Sequence, residues 1–399
     1  MRAGGRAARI HVPHAHDPRL LPAAPEPTAA APVGSGGPEL VSAQECDVLV
    51  SRLSEVARGR AFLLQCGDYT GPTAGRSADP LRDKLETLLQ MSVVLAHAAS
   101  VPVVVTGGLG HRPETSAATL NLIRAFARSA QAGLHQAHLR NLEFLARSPT
   151  GGRHVRTGAE IDRAMRFMRA YGADPRGTGA VEFFTGGEGP PLPDGAVPTC
   201  AHPATGRAYA ASGHLQWVGQ RAGHLDGAHV ARCARLGNPV AVTLGPSVTA
   251  DETLSCVDRL NPEGEPGRLT LVVGMGTDRV RDLLPVLVEK VTGNAAPVAW
   301  VCDPVHGNLF ETPDGRRTCR FDDLVDELSG FFAVHRELGT RGGGVRVEFT
   351  GDDSAGCPGG DHVLRAGDPD RRGAVARAPR LNRRQALELA FLLGEMLRT

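Results

Sequence analysis

Lysine is almost absent from this 399-residue chain: of its 44 basic residues only Lys84 and Lys290 are lysine, which leaves 42 arginines. A skew of that kind follows a GC-rich coding sequence rather than function, but it limits the chemistry. A Schiff-base mechanism needs an active-site amine, so it has two candidates at most. Net charge is lacking as well, since 44 Lys+Arg face 43 Asp+Glu and leave a formal +1. That balance gives no electrostatic case for nucleic acid or an acidic membrane as a partner. No stretch approaches the ~20 apolar residues of a membrane span. The first residues, MRAGGRAARIHVPHAHDPRL, carry charge but no apolar core of a secretory signal. The eight cysteines (46, 66, 200, 233, 256, 302, 319 and 357) include no CxxC pair. Their scatter argues against a disulfide framework or zinc ribbon and for a reducing, cytoplasmic setting.

What is present is an alternation. Residues 1–38 are rich in Ala, Pro and Gly without a sustained period and read as a flexible leader. An amphipathic opening helix over 39–59 places Cys46, Leu49, Val50, Leu53, Val56 and Ala57 at helical spacing. Short apolar runs follow at 61–65, 101–107, 133–139, 180–186, 214–219, 239–245, 268–274, 297–302 and 344–351. They are continuous rather than alternating, as strands buried on both faces are. Helical patterns lie between them, among them DPLRDKLETLLQMSVVLAHAA, and NRRQALELAFLLGEMLR follows the last run. Repeated strand–helix alternation predicts a (β/α)8 TIM barrel over 39–399, with a doubly wound sheet as the alternative. Nine runs are one too many, so one is assigned to an insertion in the Gly/Pro-rich 150–215 region.

Such barrels carry their chemistry at the C-terminal ends of the strands. Those ends collect Gln65 to Tyr69, Thr106 to Gly108, Trp217, Gln220, Arg221, Thr243, Gly274, Trp300 to Asn308, and Glu348 with Thr350 to Asp353. Cys302, Asp303, His306 and Glu348 are the densest collection of metal-capable groups. His306 alone reads as an ordinary loop histidine, but with Glu348 on the next strand it suits a first-row divalent metal acting on a carbonyl. Asp226 and His229 read as capping and lining a helix start. The glycines of loop 350–360 allow backbone N–H groups to approach an anion. Neither lysine falls at a strand end, which favours metal over imine activation.

At WVCDPVHGN the chain resembles the class II 3-deoxy-D-arabino-heptulosonate 7-phosphate (DAHP) synthases, and the similarity runs from about 39 to 399. It rests also on AFLLQCGD, LRDKLETLLQMSVVL, LNLIRAF, WVGQRAGHLDGAH, NPVAVTLGPSVT, NPEGEPGRLTLVVGMG, GFFAVHRELGTRGGGVRVEFTG and PRLNRRQALELAFLLGEMLR. The resemblance implies a barrel, and a condensation of phosphoenolpyruvate with erythrose 4-phosphate that opens aromatic biosynthesis. It further implies a divalent metal, Mn2+ or Co2+, small-molecule substrates, and assembly as a homo-oligomer. Of the family's Cys, His, Glu and Asp ligands, His306 and Glu348 match. Tyr69 stands at the Cys position with Cys66 three residues earlier, and Ala378 stands at the Asp. Metal ligation would then draw on His306, Glu348, Cys66 and Tyr69, with Arg221, Asp303 and His306 in catalysis.

The anion grip departs further. Arg221 remains, beside Gln220 where the family has Glu. Thr243 takes a lysine position and Gly274 an arginine position, while Arg112 is left to stand in for one of the missing charges. Trp217, Gln220, Arg221, Arg112, Thr243 and Trp300 are the expected substrate contacts. Removing a charged group that grips phosphate costs ~1.5–3 kcal/mol. Three such removals, counting the arginine-containing stretch shortened to GGLGHRPET at 107–115, imply roughly three or more decades in affinity if nothing compensates. The resulting expectation is a diverged enzyme that joins phosphoenolpyruvate or a related keto acid to an aldehyde or aldose phosphate in a specialised pathway. The alternative is an inactive homologue acting as a binding or regulatory protein.

Overall fold

Short Val- and Leu-rich runs closed by Gly, Asp or Cys form eight parallel strands, each too short for a stable helix and apolar on both faces. They are Phe62–Asp68, Val103–Leu109, Phe183–Gly187, Leu215–Val218, Val240–Leu244, Leu269–Val273, Ala299–Cys302 and Gly342–Val347. Each pairs with its neighbours in chain order, and the eighth closes on the first with Leu63 opposite Gly344 and Cys66 opposite Val347. The expected (β/α)8 barrel is therefore present. The computed structural model describes residues 39–69, 79–109, 113–129, 133–172, 181–187, 197–219, 227–294, 297–313, 315, 317–353, 356–359 and 379–398. The proposed leader 1–38 lies outside them.

Period-two alternation sorts the strand residues into two apolar layers. The inward layer holds Leu63, Val104, Phe184, Leu215, Trp217, Ala241, Val272, Ala299 and Val301. The helix Ala43–Ala57, started by a capping box between Ser42 and Glu45, adds Leu49, Leu53 and Val56 to this layer. The outward layer, between strands and surrounding helices, holds Phe62, Leu64, Cys66, Val105, Trp300, Cys302, Val345 and Val347. Which layer a strand residue joins decides whether it can reach a ligand in the barrel.

Helix Asp79–Ala99 follows the first strand as its pattern foretold. Three helices follow the second strand: Pro113–Ala127, Leu134–Arg147 and Gly151–Ala170. The surplus strand-like run is thus 133–139, which lies in the second of these helices rather than in 150–215. Its buried positions Ala137, His138, Asn141 and Leu145 recur at helical spacing, and it lacks the β-branched residues of a strand. Within 150–215, the run 180–186 supplies a barrel strand. An antiparallel hairpin, Thr199–Ala201 with Ala208–Ala210, then replaces a crossover helix among the described residues.

Two cysteines meet across the fold without a sequence motif to announce them. Cys319 and Cys357 form a disulfide with Cα atoms 5.6 Å apart, joining the segment before helix Phe321–Glu337 to the loop after the eighth strand. Scattered spacing excluded a framework of bridges but says nothing of two residues that the barrel closure brings together. Among the described residues, no helix is long and apolar enough to cross a membrane.

Candidate active site at the barrel mouth

The seventh strand delivers Asp303 and His306 to the mouth, and the eighth delivers Arg346 and Glu348. Asp303 caps the short helix Pro304–Gly307, accepting from the His306 N–H at 3.2 Å. The same carboxylate meets His306 Nδ1 at 2.8 Å, so the sequence spacing of three closes an Asp–His pair. Arg346 and Glu348 lie two apart and therefore on one face of their strand. Arg346 Nη1 donates to Asp303 Oδ2 at 2.5 Å and lies 3.0 Å from His306 Nδ1, while its Nη2 donates to Glu348 Oε1 at 2.9 Å. One guanidinium thus joins both acids and the imidazole. The Trp217 ring lies 5.2 Å from that guanidinium, close enough for a cation–π contact.

Two further cations converge on Glu348. The segment Arg380–Leu381 runs beside it, with the Leu381 N–H donating to the Glu348 carbonyl at 2.9 Å, which brings Arg380 Nε within 3.8 Å of Oε2. Lys84, buried in helix Asp79–Ala99, reaches the Asp68 carbonyl at the end of the first strand and stands 5.1 Å over the Phe349 ring. Sequence spacing set Lys84 apart from every strand end because it lies in a helix. Its long stem closes that gap. Space for the Glu348 carboxylate comes from Gly67, where any Cβ would collide with it.

Charge states follow from these contacts. Burial works against ionising Asp303, yet His306 and Arg346 hold its carboxyl well below the usual carboxylate range. Burial likewise opposes ionised Glu348, and Arg346, Arg380, Lys84 and His306 overcome it, holding it low. For His306, burial pulls the imidazole down, but the Asp303 carboxylate reverses this and raises it above the ordinary value. His306 is also the accessible member, with its side chain 23% exposed against 1% for Asp303. The cluster therefore holds two carboxylates against a guanidinium and a readily protonated imidazole.

Of the other expected contacts, some face away from the mouth. Cys66 and Trp300 belong to the outward layer, because each alternates with an inward residue, Gln65 or Gly67 for the one and Val301 for the other. Trp300 packs there against His335, with ring centroids 5.8 Å apart. Tyr69 is buried beside Cys66 around Gly107, and its hydroxyl donates to the Phe184 carbonyl at 3.0 Å. Burial pushes its phenol well above the ordinary 10.0, so it stays neutral. Thr243 shares the inward row with Ala241, and Gly274 packs against the Asp303 carbonyl. In loop 350–360 Gly351 serves packing, since a Cβ there would strike the backbone of Asp83 and Lys84. His229 begins helix Ala228–Arg235 as expected and bonds the Trp217 carbonyl at 2.6 Å. Arg112, Gln220, Arg221, Asp226 and Ala378 lie outside the described residues.

A divalent metal does not fit the side chains that remain. Among the described residues no group of three or more His, Cys, Asp or Glu is placed to hold an ion. Asp303, His306 and Glu348 are already turned onto Arg346, and Cys66 and Tyr69 lie behind the sheet.

Sequence reading missed Arg346, Lys84 and Arg380. For Arg346 a signal was available, since period two in GVRVEF puts it on the face of Glu348. For the other two it was not, because both reach the mouth through packing distant in sequence.

Comparison with known proteins identifies relatives across nearly the whole chain. The profile of the class-II DAHP synthetase family matches residues 34–113 and 109–394. A phospho-2-dehydro-3-deoxyheptonate aldolase of Streptomyces coelicolor is 45% identical over 406 aligned residues, covering 90% of each chain. One from Mycolicibacterium smegmatis is 39% identical over 408, covering 90% of this chain and 88% of its own. A solved aldolase of the same name from Francisella tularensis aligns at a TM-score of 0.45 and 8% identity, over 89% of this chain and 92% of that one. That likeness is too loose to bear on the site.

Proposed function

The chain belongs to the class-II DAHP synthetase family, and from that premise we propose that it is a carbon–carbon bond-forming transferase of DAHP synthase type. It joins phosphoenolpyruvate or a related keto acid to an aldehyde or aldose phosphate. The carrying observation is the cluster of Asp303, His306, Arg346 and Glu348 at the C-terminal mouth of a complete barrel. Attack of the enolpyruvate C3 on the aldehyde carbon spends the enol C=C pair and turns the aldehyde oxygen into an alkoxide, which needs a proton and a counter-charge, while water adds at C2 and phosphate leaves. His306, raised toward its protonated form by Asp303, is placed to give the proton through its accessible edge. Arg346 and Arg380 hold fixed positive charge where the substrate's carboxylate and the developing oxyanion would sit.

Divergence towards a specialised pathway is part of the reading. What supports it is the absence of charge at Thr243 and Gly274, where the family grips phosphate with Lys and Arg. The test is consumption of phosphoenolpyruvate, followed by its enol absorbance and by released phosphate, with a panel of phosphorylated and unphosphorylated aldehydes. Turnover is expected with an aldehyde, and phosphoenolpyruvate should be bound roughly a thousandfold more weakly than charged contacts would allow. Efficient use of erythrose 4-phosphate would contradict the divergence. No consumption of phosphoenolpyruvate, or of pyruvate offered in its place, with any aldehyde would leave the inactive homologue.

A further inference from the structure

We propose that the mouth cluster works without a divalent ion, the Arg346 guanidinium standing where such an ion would stand. An Asp–His pair such as Asp303–His306 also commonly supports a metal-bound imidazole, so the pair alone does not decide. The guanidinium does. It lies 2.5 Å from Asp303 Oδ2, 3.0 Å from His306 Nδ1 and 2.9 Å from Glu348 Oε1, and so occupies the centre of the three metal-capable groups. Its side chain is 8% exposed and the Trp217 ring flanks it, so it has little room to swing aside. An arginine keeps its proton in any protein environment. A divalent ion brought to these oxygens would therefore meet a permanent positive charge within hydrogen-bond reach.

The rest of the donor set agrees. Glu348 already faces Arg346 and Arg380. Tyr69 is a neutral phenol engaged with a backbone carbonyl, and Cys66 lies in the outward layer. Ala378, at the position of the family's ligating Asp, has no side-chain donor atom to give. The positive charge that polarises a carbonyl in the family is here built into the eighth strand as a side chain.

This inference rests on the mouth cluster being the working site, but its test reads metal occupancy and can fail independently of turnover. The full chain is stripped with chelator, equilibrated with Mn2+ or Co2+, desalted, and analysed for metal content. Free Mn2+ is followed in parallel by electron paramagnetic resonance. The native chain should retain far less than one ion per chain and leave the Mn2+ signal unchanged. Arg346→His removes the fixed charge and adds a ligating ring beside His306 and Glu348, and it should bind Mn2+ at least about tenfold more tightly than the native chain. One ion per native chain would overturn the proposal. So would an Arg346→His chain that keeps its native circular dichroism yet takes up no more Mn2+ than the native protein.

Discussion

Replacing Arg346 with methionine should lower kcat/KM by about 10²–10³-fold or more and destabilise the fold by about 3–5 kcal/mol. Methionine keeps much of the volume and the apolar stem but removes the charge that sits between Asp303 and Glu348. Both carboxylates are buried, at 1% and 5% exposure. Without the guanidinium Asp303 keeps only His306, and Glu348 keeps only Arg380, Lys84 and His306, so the burial of both charges is less well compensated and costs free energy. Lysine should not rescue the loss. A single ammonium cannot reach two acids on opposite sides as the planar fork does. Urea denaturation measures the stability and phosphate release the turnover. An unchanged midpoint would show that the acids do not depend on Arg346.

The second large effect is expected at Glu327, which no sequence pattern singled out. It lies on helix Phe321–Glu337, fully buried, behind the loop that carries His306. Its Oε1 accepts from the Met275 and Gly276 N–H groups at 2.7 and 3.0 Å, and its Oε2 accepts from Asn308 Nδ2 at 2.6 Å. One carboxyl thus ties the turn after the sixth strand to the loop after the seventh. Glu327→Ala should cost about 3–4 kcal/mol, because buried donors on two loops lose their acceptor together. It should also loosen His306 and so slow turnover.

Glu327 carries a pH signature of its own. Burial raises its carboxyl from 4.5 to about 8, and the hydrogen bonds it accepts only partly offset this. Between those values the folded chain holds a proton that the unfolded chain releases. Stability from this group is therefore greatest in acid and falls as pH rises from 4.5 to about 8. The slope approaches about 1.4 kcal/mol per pH unit where the difference is complete. Native chain and Glu327→Ala compared in urea across that window should converge as pH rises. Parallel curves would show that Glu327 ionises normally in the folded protein.

Much of this architecture was legible because it is local. Helix Asp79–Ala99 begins and ends where its apolar period does, and each barrel strand lies within or overlaps a Val- or Leu-rich run. His306 and Glu348 could be singled out because a strand end fixes the surroundings of its own residues. The failures have separate physical causes. Whether Cys66, Tyr69 and Trp300 face the mouth depends on strand parity, and one residue of displacement moves a side chain to the opposite layer. The run 133–139 was apolar enough for a strand but carried its period in the residues beyond it. Arg380 meets Glu348 and Cys319 meets Cys357 only because the barrel closes. Lys84 reaches a strand end from a helix through four methylenes, a distance that no spacing rule measures.

The central claim is that the reacting centre lies at the cluster of Asp303, His306, Arg346 and Glu348. A crystal structure of the chain soaked with phosphoenolpyruvate tests it most directly. The carboxylate should appear at the barrel mouth within hydrogen-bond distance of His306 and Arg380, with Arg346 still spanning Asp303 and Glu348. Phosphoenolpyruvate bound away from the mouth, or a metal ion between those acids in place of the Arg346 side chain, would contradict it.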